Sequence, residues 1–85
     1  MNPRITAVSA HDDYILLLTF ANGESRRFDM TPYLGYAAFE PLRQLAFFKL
    51  ARAGHGTVTW PQGIDFDPDT LYLEAQPVKE ERNAA

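Results

Sequence analysis

Three carboxylates alternate with other residues in Asp65-Phe66-Asp67-Pro68-Asp69. Hard cations such as calcium are held by several oxygen ligands offered from spacings of this kind. Counted as a calcium loop from Asp65, the sixth position is Thr70, where the loop needs glycine, and the twelfth is Gln76, where it needs a bidentate glutamate. Pro68 further restricts the backbone between the acids. The same residues also spell a helix start, with Asp67 as capping carboxylate, Pro68 at the first helical position and Asp69 in the first turn. The expectation is a cap. Asp65, Asp67 and Asp69 are retained as candidate metal ligands, and as the acids of a small metal-dependent enzyme in the alternative reading.

The remaining reactive groups are sparse. His11 and His55 stand in polar or glycine-flanked segments, and no serine or threonine occupies a strained nucleophile turn. No catalytic residue and no cofactor is expected. Recognition is better served. Trp60, followed by Pro61, is of the type that anchors interfaces, although core packing competes for a large indole. Tyr33 and Tyr36 flank Gly35 in the most aromatic stretch expected to reach the surface. Arg26 and Arg27 are the one adjacent pair of cations. Tyr33, Tyr36, Trp60, Arg26 and Arg27 form the candidate interaction patch.

The chain of 85 residues is long enough for one core and too short to enclose a large substrate cavity as well. A net charge of −3, without a basic stripe, argues against nucleic acid as a direct partner. Without cysteine there is no disulfide framework. The N-terminal residues show no secretory signal pattern, and the longest apolar run, Tyr14 to Leu18, falls far short of the roughly 20 residues of a membrane helix. A cytoplasmic protein with no membrane association is expected.

These side chains must be positioned by a small α+β domain over residues 1–77, followed by a flexible tail over 78–85. Arg4 to Ser9 alternates as a half-buried strand. Tyr14 to Phe20, apolar on both faces, reads as a second strand because Asn22-Gly23 suits a two-residue hairpin turn into a third. That turn would pair Leu17 with Phe28 and Ile15 with Met30, and would place these four on the core face. Thr31 and Pro32 predict a helical turn with Thr31 as cap. Phe39 to Leu45 and Ala46 to Ala51 predict short helical pieces, and Thr57 to Trp60 a fourth strand. The architecture is a small antiparallel sheet, a three-strand meander plus a fourth strand, covered by short helices.

The residues resemble the bacterial family called domain of unknown function 2442. The likeness spans about Ile5 to Tyr72. It rests on Tyr14-x-Leu16-x-Leu18-x-Phe20-x-Asn22-Gly23-Glu24, Phe28-Asp29-Met30, Phe39-x-Pro41-Leu42, Phe47-Phe48 and, most specifically, Val58-x-Trp60-Pro61-x-Gly63-Ile64-Asp65-Phe66-x-Pro68-Asp69-x-Leu71-Tyr72. The resemblance implies a compact α+β fold and no established activity. Relatives that carry a helix-turn-helix suggest transcription-linked roles, and gene contexts similar to toxin–antitoxin pairs suggest a neighbouring gene product as partner. The expected function is a non-enzymatic protein-interaction module, with an antitoxin-like or regulatory member of a two-gene pair as its narrower form. A transcription-linked regulator stands beside the metal-dependent enzyme as an alternative.

Overall fold

A computed structural model describes residues 2–78. Strands β1 (Ile5–Ala10), β2 (Ile15–Phe20) and β3 (Ser25–Asp29) form the expected meander. The two residues of β7 (Gln76–Pro77) close its far edge, giving an antiparallel sheet in the order β1-β2-β3-β7. The expected fourth strand, β5 (Thr57–Trp60), lies elsewhere. It is the centre of a second antiparallel sheet, between β4 (Arg52–Gly54) and β6 (Ile64–Asp65). The Ile5 amide donates to the Gly56 carbonyl at 3.0 Å, tying the start of β1 to the turn between β4 and β5. The helical pieces are short: 3-10 turns at Thr31–Tyr33, Ala37–Arg43 and Pro61–Gly63, α1 at Leu45–Phe48 and α2 at Pro68–Glu74.

The β2–β3 turn sets which face is buried, and it differs from expectation by one residue. The loop has three residues, Ala21, Asn22 and Gly23. The Gly23 amide donates to the Phe20 carbonyl, and the Phe20 amide to the Glu24 carbonyl. Gly23 sits at φ +91°, the left-handed position that closes such a loop with a bulge and that glycine adopts without a Cβ clash. Leu16 therefore pairs with Phe28, Leu17 with Arg27 and Ile15 with Asp29. Because side chains alternate along a strand, this one-step slip exchanges the faces of β2, while Phe28 and Met30 stay on the core side as expected. Leu16, Leu18, Phe20 and Phe28 are the buried set, joined by Met30. The two-residue turn with both residues left-handed occurs instead at His55 (φ +53°) and Gly56 (φ +80°).

The core lies between the sheets. Val58 and Trp60 from β5 meet Leu42, Phe48, Phe66, Leu71 and the buried face of β2 and β3. Trp60 is 3% exposed; its indole Nε1–H donates to the Phe48 carbonyl at 2.8 Å, and its ring stacks on Phe48. Among the described residues no buried side-chain nitrogen or oxygen lacks a hydrogen-bond partner. The first 3-10 turn is not capped by Thr31. The turn starts one residue early, with Met30 at the cap position, and the Asp29 carboxylate accepts from the Thr31 amide at 2.9 Å. Val78 donates its amide to the Ser25 carbonyl and so extends the edge pairing of β7; the rest of the expected tail, 79–85, lies outside the described residues.

Asp67 does cap α2. Its Oδ2 accepts from the Thr70 amide at 2.9 Å and from the Thr70 hydroxyl at 2.8 Å, with Pro68 leading the helix. Asp67→Ala removes both bonds. Thermal or urea unfolding is expected to show a loss of about 1 kcal/mol, the usual worth of such a cap.

Candidate functional site

With Leu16, Leu18 and Phe20 turned inward, the other side of the four-stranded sheet carries Ile15, Leu17 and Thr19 from β2. Opposite them on β3 are Asp29, Arg27 and Ser25, and on β1 Ser9 stands against Leu17 and Ala7 against Thr19. Ile15 and Leu17 are half-buried, yet neither is among the side chains packed against the core. Antiparallel sheets commonly leave one face to water, and such faces normally alternate to polar residues. Here two branched apolar residues occupy the middle of the outward face of β2.

Three shallow clefts run over this face. One of about 360 Å³ is bordered by Ala7, Ser9, Leu17, Thr19, Ser25 and Val78. A smaller one of about 210 Å³ shares Leu17 and continues over Ile15 and Arg27 toward His11 and Asp13. The third, about 450 Å³, shares Ile15 and Arg27 and reaches Asp29, Pro32, Tyr33, Glu74 and Gln76 at the sheet edge. There the Tyr33 hydroxyl donates to the Glu74 carboxylate. That bond, with burial and the charge of Glu74, pushes the Tyr33 hydroxyl up to about 12. Tyr33 is thus a neutral donor at any physiological pH.

Of the five residues expected to form a patch, three fall together. Arg27 and Tyr33 line the 450 Å³ cleft, and Tyr36, 59% exposed, packs edge-on against Tyr33 at 5.8 Å. Trp60 does not join them, because the indole is consumed by the core. Arg26 points to the opposite face from Arg27, as neighbours on a strand must. It is held there by the Glu24 carboxylate at 2.7 Å, by the Tyr72 carbonyl at 2.8 Å and by the Tyr72 ring, 3.9 Å below the guanidinium. Arg26 is a fastening between the hairpin and α2.

Glu24 is the hub of that fastening. Hydrogen bonds from the Tyr72 hydroxyl, Arg26 and Asn22, in that order of effect, hold its carboxyl below the ordinary 4.5. A carboxylate favoured in the folded state binds fewer protons than in the unfolded chain, so its contribution is complete above 4.5 and is lost as pH falls through the lower folded value. Carbon-13 titration should place the Glu24 midpoint below 4.5, and Tyr72→Phe should move it upward. The urea midpoint of the parent should fall over the same acidic range, less steeply in the variant.

The three aspartates go to separate tasks. Asp67 caps α2, Asp69 accepts from the Asn2 side-chain amide at 3.1 Å, and Asp65 lies exposed on β6 opposite Thr59. Among the described residues no three histidine, aspartate or glutamate side chains group to hold a metal ion. His11 lies 3.2 Å from the Ser9 hydroxyl, and His55 forms the β4–β5 turn.

Sequence reasoning missed Ile15 and Leu17 as surface residues because the slipped register had buried them. The signal was present in Ala21-Asn22-Gly23, which a three-residue turn accommodates as readily as a two-residue one does Asn22-Gly23 alone.

A family model described as Protein of unknown function (DUF2442) matches residues 5–77. No curated protein and no solved structure matches the chain. No helix of the described residues is long and apolar enough to cross a membrane.

Proposed function

The chain belongs to the family of proteins of unknown function so described, and we propose that this member is a non-enzymatic protein-docking module working through the open face of its four-stranded sheet. The observation that carries the reading is the pair Ile15 and Leu17, apolar, outside the core and central to a face lined by three connected clefts. Apolar surface of this kind gains free energy when covered, at roughly 25 cal/mol per Å². The ionisable residues support the same reading by their employment. Asp67, Glu24, Arg26 and Tyr72 each serve a cap or a fastening, as described above. The narrower form, a regulatory or antitoxin-like member of a two-gene pair whose partner is the neighbouring product, draws its support from the family likeness.

A photo-crosslinking side chain at position 17, in its native cells, tests the proposal. One protein, the same in every preparation, should be joined from position 17 and not from position 52, an exposed site on β4 in the other sheet. Equal labelling from both positions, or none from position 17, would count against docking on this face.

A further inference from the structure

The asparagines of this chain are Asn2, Asn22 and Asn83, and only Asn22 precedes a glycine. We infer that Asn22 is a site of covalent modification: its side-chain amide is lost in a spontaneous reaction with the Gly23 nitrogen, and the product uncouples the β2–β3 hairpin from α2. Water is the one co-reactant, and no enzyme is required.

The pair of residues sets the chemistry. The Gly23 nitrogen gives up its proton and bonds to Asn22 Cγ, the Cγ–Nδ2 bond breaks, and ammonia leaves. A five-membered succinimide remains. Water then cleaves one of its two carbonyl–nitrogen bonds. Cleavage at Cγ leaves aspartate at position 22; cleavage at the original backbone carbonyl leaves isoaspartate, with one more methylene in the chain. Glycine on the attacking side carries no Cβ to obstruct the approach. Asn2 is followed by Pro3, whose nitrogen has no proton to give up, and Asn83 by Ala84, whose methyl crowds the nitrogen. Asn22 and Gly23 are exposed, and even a Cβ on Gly23 would meet nothing within 4 Å, so the ring has room.

The folded loop slows this reaction and is damaged by it. Asn22 Oδ1 accepts from the Glu24 amide at 3.0 Å, Nδ2 donates to Glu24 Oε2 at 2.7 Å, and the Gly23 amide donates to the Phe20 carbonyl at 2.9 Å. These bonds must open before Cγ and the Gly23 nitrogen can join, so cyclisation proceeds from local openings of the loop. In the aspartate product an anionic oxygen replaces Nδ2, the donor that lay 2.7 Å from the Glu24 carboxylate. A carboxylate has no proton to offer there, and like charges at that distance repel. Glu24 Oε2 also accepts from the Tyr72 hydroxyl at 2.7 Å, and Oε1 holds Arg26 at 2.7 Å. Displacing Glu24 therefore breaks the fastening between the hairpin and α2. Isoaspartate acts on the same fastening by lengthening the three-residue loop that the Gly23–Phe20 and Phe20–Glu24 bonds close.

The test ages the full chain in mildly alkaline buffer, beside the segment Phe20 to Arg26 as an unfolded peptide. Peptide mapping by mass spectrometry should show conversion at position 22, slower than in the free peptide by a factor between about three and a hundred. Amides of Leu71 to Ala75 should exchange with deuterium at least fivefold faster in the aged protein than in the fresh one, with Leu16 to Leu18 unchanged. Asn22→Asp should reproduce that exchange pattern without ageing. Asn22→Ser keeps an acceptor for the Glu24 amide but cannot cyclise, so the mass change at position 22 should vanish. A rate equal to that of the peptide, or no conversion after a hundred peptide half-lives, would overturn the inference. So would conversion that leaves the exchange of α2 unaltered in the aged protein and in Asn22→Asp alike.

Discussion

Trp60→Ala is expected to cost about 3–5 kcal/mol, the range for removing a buried large aromatic side chain. A domain of this length has a total stability of roughly 4–13 kcal/mol, so the loss takes a large share of it. Two effects add. The indole leaves a cavity between the sheets, where Phe48 and Val58 cannot follow it without dragging their own strand and helix. The Phe48 carbonyl, which closes α1, also loses the donor that reaches it at 2.8 Å. Trp60→Phe separates the two, since it keeps most of the ring volume and removes the N–H. It should cost about 1–2 kcal/mol, one hydrogen bond together with a smaller void, because the Phe48 carbonyl keeps the Ala51 amide at 3.2 Å. Urea denaturation followed by far-ultraviolet circular dichroism reads both variants. Near-equal stability of Trp60→Ala and the parent would mean that the indole is not in the core.

The second large effect is a contrast between neighbours. Leu16→Ala should cost about 2–5 kcal/mol, because Leu16 is fully buried. Leu17→Ala, one residue on, should cost about 1 kcal/mol or less, as substitutions outside the core do. Identical chemistry at adjacent positions leaves only the direction of the side chain to explain the difference. The reverse order would restore the two-residue turn and bury Ile15 and Leu17. It would also remove the docking face, so this pair of measurements bears on function as directly as on stability.

Much of the architecture was legible before any coordinates, for physical reasons that differ by element. The first three strands announce themselves through the alternation of Arg4 to Ser9, the apolar run Tyr14 to Phe20 and the Asn22-Gly23 turn that leads into the third, and the Asp67-Pro68-Asp69 helix start through capping chemistry that is local to it. Local signals were enough there. The register of β2 on β3 was not local in that sense: Asn22-Gly23 suits either turn length, and the choice is decided by which face buries Leu16, Leu18 and Phe20 against residues far along the chain. Strands β4 and β6 escaped notice because Arg52-Ala53-Gly54 and Ile64-Asp65 are short and carry little strand preference of their own. They are strands because β5 lies between them. The candidate patch was half legible for the same reason. Tyr36 and Arg27 are surface residues by composition and position, whereas the fates of Tyr33, half-buried against Phe28 and Phe66, and of Trp60 and Arg26 depended on partners that sequence spacing does not reveal.

The far edge of β3 is closed by a very short strand, two residues paired with Arg26 and Arg27, and by the contacts of Glu24 and Arg26 with Tyr72. So brief a pairing should make α2 and β7 the weakest cooperative unit of the domain, able to detach while the hairpin and the buried indole stay in place. Amides of Leu71 to Val78 should then exchange with solvent deuterium faster than those of Leu16 to Leu18. Each such excursion bares the Ser25 to Asp29 backbone as a free template for strand addition. Weakening the hold of Arg26 on Tyr72 should therefore raise self-association in concentrated solution.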